Sequence, residues 1–154
     1  MAGLFSRLQK RSIGHHPYCT AVVVAAGSAS RMKGIDKIMT TLGGIPVLAR
    51  TLQALEQCGR IDEIVVVTRT DLCAPVNILC REFGIQKVTA VVSGGATRAE
   101  SVRCGLCAVS GRAELAAIHD GARPFVSQEL LERVLIAGAK TGAAAPAVPI
   151  KDTI

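Results

Sequence analysis

Apolar positions along the chain follow two rhythms. Short unbroken runs alternate with stretches that keep one face apolar at helical spacing. Residues 20–26 (TAVVVAA) form the first run, rich in β-branched side chains. Such a run predicts a strand covered on both faces, as in a parallel sheet under helices. Beyond Gly43-Gly44 and Pro46, the positions Val47, Leu48, Thr51, Leu52 and Leu55 predict a helix with proline in its first turn, ended by Cys58-Gly59. Residues 61–68 (IDEIVVVT) read as a second strand. Thr70-Asp71 is expected to cap a helix running to about Phe83 and stopping at Gly84. Residues 87–92 predict a third strand, and Thr97-x-x-Glu100 a capping box opening the next helix. Residues 115–119 (LAAIH) predict a fourth strand, followed at once by Asp120-Gly-Ala-Arg-Pro-Phe125. Ser127 opens a last helix, apolar at Leu130, Leu131, Val134 and Leu135, and residues 143–148 are expected to form a fifth strand. Alternation of this kind predicts an α/β protein with a mostly parallel sheet.

Composition narrows the picture. The 154 residues, 49% hydrophobic and 19% charged, suit one globular domain. It is expected to span residues 18–154, after a basic tail over residues 1–17. That tail reads as disordered, with a weak basic amphipathic turn at a membrane surface as the alternative. The net charge of +6 draws three of its six charges from Arg7, Lys10 and Arg11, so the remainder is mildly basic. With one Tyr, three Phe and no Trp, stacking platforms for nucleic acid are scarce, and a small anionic substrate fits better. No apolar run approaches a membrane span, and no signal-peptide core is present, so a cytoplasmic protein is expected. The six cysteines then read as free, buried small hydrophobes. The one C-x-x-C, Cys104 with Cys107, falls inside a predicted helix and lacks a second ligand pair for zinc.

Candidate chemistry sits at the strand ends. In an open parallel sheet, ligands gather beyond the carboxyl ends of the strands. Three of the predicted strands end there in small, glycine-rich or charged residues: AAGSASR after the first, SGGATRAES after the third and HDGARP after the fourth. Small side chains let backbone N–H groups approach an anion, and the first loop adds two cations, Arg31 and Lys37. The dinucleotide fingerprint fails, because Gly27-Ser-Ala29 lacks its second glycine and the second strand ends in Thr68-Arg69 rather than an acid. No Walker loop is present either. His119 reads as a packed strand-end histidine.

Four motifs occur in order: Ala25-Ala26-Gly27-x-x-x-Arg31-Met32 with Lys37, Gly94-Gly95-x-x-Arg98-x-x-Ser101-Val102, His119-Asp120-Gly121-Ala122-Arg123-Pro124, and Pro149-Ile150-Lys151-Asp152-Thr153-Ile154. Together they resemble the 2-C-methyl-D-erythritol 4-phosphate cytidylyltransferases from about Tyr18 onward. The resemblance implies a Rossmann-like three-layer αβα sandwich, incomplete at the C-terminus. It also implies transfer of CMP from CTP to the polyol phosphate, with Mg²⁺ as cofactor and a homodimer in the full-length form. By the same resemblance, Ala25, Ala26, Gly27 and Ser28 wrap the nucleotide, with Arg31 and Lys37 on its triphosphate. Gly95 and Ser101 read the cytosine, Asp120 lies by the metal, and Arg123 and Thr153 bind the second substrate.

The chain departs from that pattern at Ala29, where the family loop usually has glycine, and at Asp36, where a proline usually precedes the loop lysine. Family members also continue well beyond the DTI motif, so the chain is read as either a fragment or a truncated protein, with poor activity expected alone. The alternatives are another polyol-phosphate cytidylyltransferase, such as one acting on ribitol 5-phosphate, and a non-catalytic CTP-binding module.

Overall fold

The computed structural model describes residues 16–27 and 37–149. Ser28 and Arg31 of the first loop, Thr153, and all of the basic tail except His16 and Pro17 lie outside the described residues. In chain order the elements are β1 (Cys19–Ala25), β2 (Thr41–Leu42), β3 (Ile45–Pro46), α1 (Val47–Glu56), β4 (Glu63–Thr68), α2 (Cys73–Glu82), β5 (Val88–Ser93), α3 (Arg98–Cys107), β6 (Leu115–Asp120) and α4 (Gln128–Thr141).

β5, β4, β1 and β6 form, in that order, a sheet whose neighbours are all parallel. Val22 of β1 stands opposite Val65 on one side and Ile118 on the other. The chain therefore steps outward from β1 to β4 and β5, then returns to the far side of β1 for β6. This reversal places a topological switch point beside β1, where open α/β sheets bind ligands.

β1 is buried on both faces, as expected, and so is β4, while β5 and β6 at the edges of the sheet are only partly buried. On one face Ala21, Val23, Ile64 and Val66 pack with Leu48, Leu52 and Leu55 of α1, Val76 and Leu79 of α2, and Leu131 and Leu135 of α4. On the other, Val22 and Val67 lie under Gly105 of α3. Three layers result, in a Rossmann-like αβα sandwich. A Cβ on Gly105 would fall 2.4 Å from Val22 Cγ1 and 2.7 Å from Val67 Cγ2, so only glycine lets α3 lie this close to the sheet. The layers are also pinned by a buried carboxylate. Glu63 accepts hydrogen bonds from Thr20 Oγ1 (2.5 Å), Thr89 Oγ1 (2.8 Å) and the Ser110 N–H (3.2 Å), joining β1, β5 and the turn after α3 to β4.

Several expectations need correction. Residues 143–149 form no strand and are exposed throughout. Alanines bury little, and Pro146 and Pro149 have no N–H to donate to a ladder. Thr70-Asp71 caps no helix. It lies in a 3₁₀ turn (Thr70–Leu72), the Thr70 hydroxyl pairs with Ser93 Oγ at 2.7 Å, and α2 begins only at Cys73. Pro46 occupies the N-cap of α1 rather than its first turn. The sequence reading also missed the β2–β3 hairpin, whose two turn residues, Gly43 (φ 59°) and Gly44 (φ 77°), supply the left-handed pair that a tight hairpin turn requires. Cys104 and Cys107 do lie within a helix, α3, as free thiols, but the expectation of buried cysteines holds only for Cys19, Cys58 and Cys80: Cys73 and Cys104 are half-buried and Cys107 is exposed. Among the described residues no helix is long and apolar enough to cross a membrane.

Candidate active site

The carboxyl ends of β1, β4, β5 and β6 open into one cleft of about 1080 Å³. The chain supplies its walls from loops that strand and helix packing hold in place. From β1 come Ala25, Ala26 and Gly27; the turn after the first loop adds Lys37. β4 contributes Arg69, Thr70 and Asp71, and β5 contributes Ser93, Gly94 and Gly95. Arg98 and Ser101 enter from the first turn of α3, and Asp120, Ala122 and Arg123 from the end of β6. Eight of the site residues expected from the sequence thus meet in one cavity: Ala25, Ala26, Gly27, Lys37, Gly95, Ser101, Asp120 and Arg123.

Close backbone approach shapes the β5 side. The Gly94 N–H extends the ladder to Thr68 O at 2.8 Å. A Cβ there would meet Ala26 Cβ at 2.6 Å and Ser101 Oγ at 2.7 Å. Ser101 is 2% exposed, and its hydroxyl accepts from the Gly95 N–H at 3.2 Å and faces Gly95 O at 3.4 Å. It braces the glycine turn from behind. The capping box predicted at Thr97 forms: Thr97 Oγ1 accepts from the Glu100 N–H, and a Glu100 carboxylate oxygen from the Thr97 N–H, each at 3.1 Å. The first turn of α3 is thereby fixed beside the cleft.

At the β6 side, backbone contacts hold Asp120 and Gly121 in place. The Gly121 N–H donates to Val24 O at 2.8 Å, and its carbonyl accepts from Thr51 Oγ1 of α1 at 2.8 Å. Asp120 then meets two guanidinium groups. Arg98 reaches its Oδ1 through Nη2 at 2.9 Å and Nε at 3.3 Å, and Arg123 Nε reaches Oδ2 at 2.9 Å. Burial pushes the Asp120 carboxyl up, but the Arg98 bonds and the charges of Arg98 and Arg123 outweigh it and hold the group below the usual aspartate value. His119, one residue earlier, points to the α1 side of the sheet. Burial lowers its imidazole from 6.5, and Nδ1 finds no hydrogen-bond partner among the described residues.

Among the described lining residues, Lys37, Arg69, Arg98 and Arg123 face two carboxylates, Asp71 and Asp120. A cleft of this size with excess cationic charge suits a polyphosphate together with a second small anion. Sequence reasoning missed two of these cations as site residues. Arg98 stood inside a quoted motif without a role, and Arg69 counted only as the missing acid of a dinucleotide site.

A parallel sheet with glycine-rich strand ends and a cationic cleft at the switch point beside β1 places the chain among the open-sheet α/β proteins that take ligands at the carboxyl ends of their strands. The comparisons narrow that class. Residues 19–154 match the family model for 2-C-methyl-D-erythritol 4-phosphate cytidylyltransferase. The chain belongs to that family. It is 42% identical over 134 residues to a protein of that name from Dehalococcoides mccartyi, covering 87% of this chain and 59% of the relative. The chain thus spans less than two thirds of the relative it matches. A solved 4-diphosphocytidyl-2C-methyl-D-erythritol synthase from Anaerococcus prevotii superposes with a TM-score of 0.69 at 34% identity, covering 81% of this chain and 52% of that one. Rv0371c of Mycobacterium tuberculosis, solved in complex with manganese, superposes with a TM-score of 0.61 at 26% identity, covering 80% and 61%.

Proposed function

We propose that this chain carries the nucleotide half of a CTP:2-C-methyl-D-erythritol 4-phosphate cytidylyltransferase. The observation that supports this most is the meeting of three small-residue strand ends with Lys37, Arg98, Asp120 and Arg123 around one cleft. In the reaction, a phosphate oxygen of the polyol phosphate bonds to the α-phosphorus of CTP. The bond from that phosphorus to the α–β bridging oxygen breaks, and pyrophosphate leaves with the electron pair. The attacking oxygen is already anionic, so the chain needs no strong base. Its task is to bring anions together and to stabilise charge on the phosphoryl oxygens.

In this reading the residues 25–31 loop and Lys37 hold the triphosphate, with Ser28 and Arg31 part of that loop. Gly95 presents its backbone to the cytosine, and Ser101 keeps it in place. Backbone groups near Ala25 and Ala26 help to exclude larger purines. Arg123 and Thr153 serve the acceptor.

Asp120 is the carboxylate that would hold Mg²⁺. Its two oxygens already carry guanidinium partners, and the described residues offer no cluster of three or more His, Cys, Asp or Glu that could hold a metal ion. That donor set fits a magnesium whose charge is offset by the substrate's own phosphates, the usual setting for this metal. When bound it would supply charge neutralisation on the phosphates. The homodimer and the cytoplasmic setting belong to the same reading.

Calorimetric titration tests it. With Mg²⁺ present, the folded chain should bind CTP and discriminate against ATP; a folded sample that binds neither overturns the reading. A panel of acceptors scored by pyrophosphate release from CTP separates methylerythritol phosphate from ribitol 5-phosphate.

A further inference from the structure

The placement of Arg98 is electrostatically odd. It is the first residue of α3, next to the N-cap Thr97, where the helix dipole disfavours a cation. The capping box fixes its backbone, so its side chain must find its own compensation. It does so across the cleft, on Asp120, with two nitrogens on one oxygen. The other oxygen of Asp120 is taken by Arg123, whose side chain is 76% exposed. The backbone beneath Asp120 is already held by Val24 and Thr51 through Gly121. What those contacts leave open is the direction of the carboxylate, and Arg98 supplies it.

We propose that Arg98 is a positioning residue that acts through Asp120 and does not itself touch the nucleotide. It joins the β5–α3 wall, with Gly95 and Ser101, to the β6 wall, with Asp120 and Arg123. It also keeps the Asp120 charge balanced while an anion enters. Without Arg98, whose side chain is 62% exposed, the carboxylate keeps only the single bond from the more exposed Arg123, and that partner is itself drawn toward phosphate. The carboxylate then loses the direction in which it would meet the metal and the triphosphate. This inference rests on the nucleotide reading above and deepens it.

A double-mutant cycle on CTP affinity with Mg²⁺ tests it, using Arg98→Met, Asp120→Asn and the pair. Arg98→Met should weaken binding about tenfold in the parent chain and less than about twofold in the Asp120→Asn background, since coupled neighbours are non-additive. Arg98→Lys, which keeps the charge without the fork, should recover part of the loss. Equal losses in both backgrounds would mean that Arg98 contacts the nucleotide directly, and no loss in either would mean that it does nothing for binding. Both results overturn the proposal. A second arm needs no nucleotide: crystal structures of the parent chain and of Arg98→Met should show the Asp120 carboxylate turned from its parent direction while Gly121 keeps its bonds to Val24 and Thr51, and an unturned carboxylate overturns the proposal. If the parent chain fails to bind CTP, the proposed function falls, and the direction of the carboxylate alone decides the role of Arg98.

Discussion

Replacing Gly105 by alanine sets two magnitudes against each other. Gly105 lies in the last turns of α3, where alanine favours the helix by about 1 kcal/mol over glycine. The added methyl, however, would sit 2.4 Å from Val22 Cγ1 and 2.7 Å from Val67 Cγ2. Ordinary contact begins near 3.4 Å, so α3 must retreat from the sheet by about 1 Å. Neither valine can yield, because both are fully buried on the two central strands. Overpacking of this kind costs about 1–3 kcal/mol, so the net change should be a loss of up to about 2 kcal/mol. For a chain of this size that lowers the melting temperature by a few degrees. The retreat also carries Ser101 and Arg98 away from Gly95 and Asp120, so CTP affinity should fall further than stability accounts for. Gly111→Ala is the control, since a Cβ there meets nothing within 4 Å. Urea unfolding and CTP titration of the two variants decide the matter. A Gly105→Ala chain as stable as the parent, with unchanged affinity, would refute the claim that close α3 packing sets the cleft.

Two further predictions concern buried charge. Glu63→Gln puts an N–H₂ where a carboxylate oxygen accepted, so one donor among Thr20, Thr89 and Ser110 loses its acceptor or must turn away; urea unfolding should show a loss of about 1–3 kcal/mol. Burial raises the Glu63 carboxyl, but the bonds from Thr20, Thr89 and Ser110 outweigh it and bring the group below 4.5, so its contribution is full above that pH and fades as pH falls through the folded value. The parent chain should therefore lose stability in that acid range, and the Gln variant should lose less. Burial keeps the His119 imidazole below 6.5, so the unfolded chain takes up its proton first; this contribution is complete above that pH and lost as pH drops through the lower folded value. Melting curves from pH 8 to pH 5 should fall in the parent and flatten in His119→Leu, and parallel slopes would exclude His119 as the source.

β1 and β4 were legible in the sequence because a strand buried on both faces needs an unbroken apolar run, and β5 and β6, half-buried at the two edges of the sheet, because short apolar runs there end in small or charged residues. The helix start at Thr97 was legible for a local reason, the reciprocal Thr97–Glu100 cap. Residues 143–148 misled because alanine and valine imitate such a run while prolines deny it a ladder. The strand-end residues could be found because small and charged side chains interrupt the apolar pattern. Arg98 on Asp120 could not, since the pair spans 22 positions and exists only once β6 lies beside β1. Ser101 was read as a base contact from its motif; its burial under the Gly94-Gly95 turn is a further property, of helix packing, that no spacing shows.

The cleft has no wall made from a single stretch of chain. Gly121 of one wall hangs on Thr51, 70 positions earlier, and the Ser93 end of β5 is tied to Thr70, 23 positions earlier. A chain missing any strand of the four-stranded sheet would lack a wall of the cleft, so in the proposed reading nucleotide binding would read out completed folding rather than local order. By linkage, ligand at a hundredfold excess over its dissociation constant adds about 2.7 kcal/mol to the folded state alone. On the proposed function, supply of nucleotide and survival against proteolysis become one coupled quantity.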